Sequence, residues 1–349
     1  MRRPRPASSR PRVASRPSQR AAPEVLSPEW RAWVAENLLH GAPTAKLVAA
    51  LVAQGVPERE ATTQVGAIAA SPGLIAGARY AKRARSLEVV ARLHREVMRA
   101  GPREVERRPE VSADEFFARY YATNTPVVLT DVVTRWPAFE RWSLAWLRER
   151  YGHAEVQAVF GREGDPDYDM NTPRHSRATT LGAFISAVEA AGETNDLYLV
   201  ANNRNMERPA LRPLWDDLTP DPAIIDRARL PGSTALWVGP AGTVTPLHHD
   251  TSNILFAQLR GRKRFILAPP SETSLLRRAR GVYCDLDPEG TDPDWAAVRA
   301  SVVTLSPGEA LFLPVGWWHH VRALDVSVSF AFTNFTRPNA FDWYKPARG

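Results

Sequence analysis

Residues 245–259 read Thr-Pro-Leu-His-His-Asp-Thr-Ser-Asn-Ile-Leu-Phe-Ala-Gln-Leu, and residues 314–320 read Pro-Val-Gly-Trp-Trp-His-His. These two stretches hold four of the chain's eight histidines. In extended backbone, residues two apart face the same way, so His248 and Asp250 can grip one object together. An imidazole from the second stretch would complete two histidines and one carboxylate. That facial set binds non-haem Fe(II) and leaves positions open for oxygen chemistry. Taken singly, each stretch reads as the polar end of a strand; taken together they point to a metal centre.

Working outward, the ligand stretch runs through Ile254–Leu259, turns at Arg260-Gly261-Arg262 and continues as Lys263–Leu267. This pattern is expected as a tight hairpin of two paired strands, with Lys263 opening the second. An Fe(II) site that uses 2-oxoglutarate needs a cation for the far carboxylate of that cosubstrate, and Lys263 is placed for it. Only four lysines occur among 45 basic side chains, so a lysine between Arg262 and Arg264 argues for a slim ammonium where a guanidinium fork would not fit. The competing reading is an exposed turn lysine.

From Ala154 onward the chain reads mostly as short strands punctuated by Gly, Pro and Asp, among them Thr234–Val238, Ala310–Leu313, His319–Ala323 and Val326–Phe335. Such punctuation predicts a sandwich or jelly roll. Upstream, Ser112-Ala113-Asp114-Glu115 is a capping box opening a helix at Phe116–Tyr121, followed by a strand at Pro126–Val133. Residues 26–100 predict a helical module: a start at Ser27-Pro28-Glu29, helices over 43–54 and 57–70, and a long basic helix from about Leu74 to Arg99. Self-association is the expected role of this module, which makes a homodimer a candidate assembly.

The formal net charge of +7 is accounted for by residues 1–22, which contain seven arginines and no acidic residue. Residues 1–25 are therefore expected to form a disordered Arg/Pro-rich tail, and nucleic acid is a weakly supported partner for it. No run of apolar residues is long enough for a transmembrane helix, and the lone Cys284 suits a reducing compartment. The expected location is cytoplasmic, without a membrane partner.

The stretch TPLHHDTSNILFAQLRGRKRFILAPP, with LSPGEALFLPVGWWHHV and SVSFAFTNF, resembles the JmjC/cupin-like oxygenases that use Fe(II), 2-oxoglutarate and O2. Within that family it is similar to the branch of the asparaginyl hydroxylase that inhibits hypoxia-inducible factor. The resemblance covers roughly residues 111–346, so residues 101–349 are taken as the oxygenase domain. It implies a mainly β fold, a double-stranded β-helix (jelly roll) with flanking helices and the N-terminal helical module. It implies His248, Asp250 and His319 as iron ligands, with His320 facing away. Lys263, Thr245 and Tyr198 are implied around the C5 carboxylate of 2-oxoglutarate. The branch often carries two asparagines near the C1 carboxylate, where this chain has Ile254 and Ser329; Asn253 or the Asn202-Asn203 pair are the substitutes weighed for that role. The expected reaction is hydroxylation of a C–H bond coupled to decarboxylation of 2-oxoglutarate to succinate, with a peptide or protein side chain as first-choice substrate. Alternatives are a small-molecule or RNA-base hydroxylase, an N-methyl demethylase, and a non-catalytic metal-binding cupin. Asp165, Asp167 and Asp169 either rim the entrance or form a solvated acidic loop.

Overall fold

The computed structural model describes residues 26–341, apart from 201–202, 231, 273–274 and 276–277. The tail at residues 1–25 and Asn202 lie outside the described residues.

Two compact units divide at Val89–Val90. The first contains helices α1 (Pro28–Leu39), α2 (Thr44–Ala53) and α3 (Glu58–Ala69). Ser27 caps α1 by accepting from the Trp30 amide, with Pro28 at the first turn. Val34 of α1, Leu47 and Leu51 of α2, and Ala61 and Val65 of α3 bury themselves together. A fourth helix, α4 (Pro72–Arg99), contains the division and has no buried residue.

In the second unit, Ser112 accepts from the Glu115 amide at 3.2 Å, as the capping box predicts. Among the described residues this unit has fifteen strands: β1 (Glu106–Arg108), β2 (Val127–Leu129), β3 (Glu155–Phe160), β4 (Ser176–Thr180), β5 (Leu197–Tyr198), β6 (Thr234–Gly239), β7 (Val244–His248), β8 (Ile254–Arg260), β9 (Lys263–Ala268), β10 (Ala279–Arg280), β11 (Tyr283–Cys284), β12 (Ser301–Leu305), β13 (Ala310–Leu313), β14 (Trp318–Ala323) and β15 (Ser327–Phe332). One six-stranded sheet runs β1-β2-β13-β8-β15-β6 and the other β10-β11-β7-β14-β9-β12. All their pairings are antiparallel except β1 with β2. Two such sheets form the expected jelly roll. Aromatic residues fill much of its core: Phe116, Phe312, Phe330, Phe332 and Phe335 are all fully buried.

Two expectations need correction. β8 and β9 do not pair as a hairpin: β8 lies between β13 and β15, whereas β9 lies between β14 and β12 in the opposite sheet. Gly261 therefore carries the chain from sheet to sheet, at φ +65, where an added Cβ would lie 2.2 Å from the Val326 carbonyl oxygen. Only glycine fits there. The stretch after Ala154 is also less strand-rich than expected. It contains the helix Leu181–Ala191, capped by Thr180, and a 3-10 helix at Pro209–Asp217.

Candidate metal centre

His248 is the last residue of β7, and β7 pairs with β14 so that His248 stands directly opposite His319. The register slips between His319 and Val321, a bulge beside the ligands. Opposed residues in an antiparallel pair project from one face, which brings the imidazole ring centres to 4.0 Å. Asp250 lies just beyond the strand rather than within it. Its carboxylate comes within 3.3 Å of His319 Nε2. Ligand atoms of His248, Asp250 and His319 all lie within 4.8 Å of one another, and among the described residues no other group of this kind occurs.

Backbone carbonyls fix both imidazoles. His248 Nδ1 lies 2.7 Å from the Pro246 oxygen, and His319 Nδ1 lies 2.9 Å from the Trp317 oxygen. Each Nδ1 therefore donates, leaving Nε2 with its lone pair for a metal. Burial, then the neighbouring His319, pushes the His248 pKa down to about 4, so the ring is neutral at physiological pH. Burial works against ionisation of Asp250, but the His319 ring beside it, with His248 and His249, holds its pKa at about 2. Two imidazoles that turn Nε2 inward and an ionised carboxylate fit Fe(II).

His320 points the other way. It opposes Ile266 on the far face of the sheet and lines a separate cavity with Glu289 and Arg322.

A cavity of about 590 Å³ opens over the three ligands, and Thr245, Tyr198 and Lys263 line it as well. Lys263 opposes Ala323 on β14, on the same face as His319 and four residues along, roughly 13 Å of strand. Lys263 is 1% exposed. Its ammonium donates to the Tyr198 hydroxyl at 2.7 Å, and no carboxylate pairs with it among the described residues. Burial brings its pKa down to about 7. A buried amine without a counter-ion is costly, and an anionic ligand would relieve that cost.

The other two residues expected at the cosubstrate do not reach the cavity. Asn253 accepts from the Val315 amide at 2.9 Å and donates to Asn339 Oδ1 at 2.8 Å, so its amide is committed to pinning two loops. Ser329 donates to Gln258 Oε1 at 2.8 Å and is fully buried. Asn203 donates to the Gln157 carbonyl at 2.7 Å, and Ile254 lines the cavity without a polar atom to offer. We expect Asn253→Ala to lower stability by about 1–3 kcal/mol, because it strands the Val315 amide and Asn339. Fe(II) affinity measured on the folded variant should stay near the parent value. A large loss of 2-oxoglutarate affinity with unchanged stability would return Asn253 to the cosubstrate.

Tyr283 and Trp237 line the cavity and were missed in the sequence. Tyr283 opposes His248 from β11, its ring centre 5.9 Å away, and donates to Asp169 at 2.8 Å. It lies in a two-residue strand with no alternation to mark it. Of the three loop aspartates, Asp169 reaches this cavity, whereas Asp165 bonds His175 at 3.0 Å and Asp167 faces Arg280.

A jelly roll with a two-histidine, one-carboxylate set at one mouth defines a cupin-type metal protein. A family model described as a cupin-like domain matches residues 113–338, and the chain belongs to that family. It is 32% identical over 234 residues to Jumonji C domain-containing protein 5 of Drosophila melanogaster, covering 63% of this chain and 57% of that protein. Lysine-specific demethylase 8 of Xenopus tropicalis is 30% identical over 63% of this chain and 50% of its own length. The human bifunctional peptidase and (3S)-lysyl hydroxylase JMJD7 is 24% identical over 59% of this chain and 76% of its own length. The chain thus spans about half the length of the first two relatives. Among the described residues, no helix is long and apolar enough to cross a membrane.

Proposed function

We propose that the protein is an Fe(II)- and 2-oxoglutarate-dependent oxygenase that hydroxylates a protein side chain. One observation carries this reading: the His248, Asp250 and His319 set shares a cavity with the unpaired ammonium of Lys263. His248, Asp250 and His319 would hold the iron, which with 2-oxoglutarate and O2 supplies the oxidising chemistry. Lys263 and the Tyr198 hydroxyl would hold the remote carboxylate, with Thr245 beside them. The apolar strand residues Phe256, Phe265 and Val321 line the same space. The relative named as a lysyl hydroxylase supports a side-chain substrate.

A second reading, N-methyl-lysine demethylation, is favoured by relatives named lysine-specific demethylases. Both reactions begin with the same hydrogen abstraction and differ in the fate of the product. Incubation of the protein with Fe(II), ascorbate, 2-oxoglutarate and a panel of unmethylated and methylated peptides should release succinate. A peptide that gains one oxygen and keeps it marks hydroxylation. Loss of a methyl group with formaldehyde release marks demethylation. A protein that forms no succinate with any peptide, while binding iron, would count against both in favour of a metal-binding module.

A further inference from the structure

Behind the lysine pocket lies a second buried cation. Arg162 follows β3 after Gly161 and is 2% exposed. Its guanidinium carbon is 4.2 Å from the centre of the Tyr168 ring and 5.3 Å from that of Tyr198. Lys263 Nζ is also 5.3 Å from the Tyr198 ring centre. Two basic side chains therefore lie beside the one phenol that meets Lys263. The nearest carboxylate to Arg162 is Asp169, at 3.8 Å, and Asp169 also accepts from Tyr283. One distant carboxylate, shared with Tyr283, does not fully offset the buried Arg162 guanidinium.

Both terminal nitrogens of the Arg162 fork are engaged. Nη1 donates to Asn195 Oδ1 at 3.0 Å and Nη2 to the Val244 carbonyl at 2.7 Å. Asn195 Oδ1 in turn accepts from the Val244 amide at 2.8 Å. Arg162 and Asn195 thus hold both backbone groups of the residue next to Thr245. A planar five-donor group can brace a ring and a strand at once; a lysine at this position could not.

We propose that Arg162 is a positioning residue for the remote carboxylate of the cosubstrate: it seats the Tyr198 phenol on one side and, through Val244, Thr245 on the other. This rests on the reading of the cavity as a 2-oxoglutarate site. Positive potential beside a phenol makes its hydroxyl a stronger donor to an anion, so Arg162 would act through Tyr198 without touching the ligand. If Arg162 were only a core brace, its loss would disturb every ligand of the cavity alike.

Two acids separate the cases. 2-Oxoglutarate has the remote carboxylate, and 2-oxobutanoate lacks it while keeping the oxo-acid end. Each is titrated anaerobically into Mn(II)-loaded parent, Arg162→Met and Arg162→Lys proteins, and binding is read by quenching of intrinsic tryptophan fluorescence. Arg162→Met should bind 2-oxoglutarate about tenfold more weakly and 2-oxobutanoate within about twofold of the parent. Arg162→Lys, which keeps the charge and loses the fork, should fall between and so decides the matter if the methionine variant does not fold. Parent-like 2-oxoglutarate affinity in Arg162→Lys and Arg162→Met, or equal losses for both acids, would overturn the proposal. A parent that binds 2-oxoglutarate tightly yet hydroxylates no side chain would sink the proposed function and leave this inference intact.

Discussion

Replacing any one of His248, Asp250 or His319 with alanine is expected to abolish 2-oxoglutarate turnover, whereas His320→Ala keeps both iron and activity. Removal of a partner that merely supports a ligand costs about 10–100-fold in metal affinity or activity, so loss of a ligand itself should cost more. His320 supplies the contrast because it stands next to His319 yet opposes Ile266 on the other face of β14. Anaerobic Fe(II) titration followed by calorimetry, with succinate release measured in parallel, checks all four variants. Folding of each is established first by circular dichroism. Were His320→Ala to lose iron while His319→Ala retained it, the register of β14 would be wrong by one residue.

The metal set was legible because its chemistry is rare in the chain: four of eight histidines fall in two short stretches, and strand alternation permits one of the second pair to face the metal. Lys263 was legible for a similar reason, as one of few lysines in an arginine-rich sequence. Strand partners were not legible. A period of two marks β8 and β9 as strands, but their assignment to opposite sheets depends on pairing with β13, β15, β14 and β12, which lie far along the chain. The short connection through Gly261 looks the same locally for a hairpin and for a crossing between sheets. Asn253 misled for another reason: its neighbours are ligands, while its partners Val315 and Asn339 are 62 and 86 residues away in sequence. Tyr283 escaped because its role comes from a single cross-strand pairing with His248.

Lys263→Ala is expected to weaken 2-oxoglutarate binding by about a hundredfold or more while leaving Fe(II) affinity nearly intact. The lost contact is a charge-assisted one inside a buried cavity; removing one partner of such a pair costs about 3–5 kcal/mol, and about 1.4 kcal/mol is tenfold in affinity. Lys263→Arg should recover only part, since the ammonium sits 2.7 Å from the Tyr198 hydroxyl and 5.3 Å from the Phe256 ring centre, leaving little room for a planar fork. The pH dependence follows from burial, which lowers the Lys263 pKa from 10.5 to about 7. With a folded pKa below the unfolded one, the stability contribution of this group is present above pH 10.5 and is lost as pH falls through about 7. A bound carboxylate reverses that preference by favouring the charged amine. Above pH 7, therefore, the free protein holds Lys263 mostly neutral, and binding must draw a proton from solvent. Calorimetric titration of 2-oxoglutarate at about pH 8, in two buffers of different ionisation enthalpy, should show proton uptake in the parent and none in Lys263→Ala. Affinity of the parent should fall as pH rises from about 7 towards 10.5. If Lys263→Ala binds 2-oxoglutarate as tightly as the parent at every pH, the lysine does not hold the cosubstrate, and the oxygenase reading loses its second support beside the metal set.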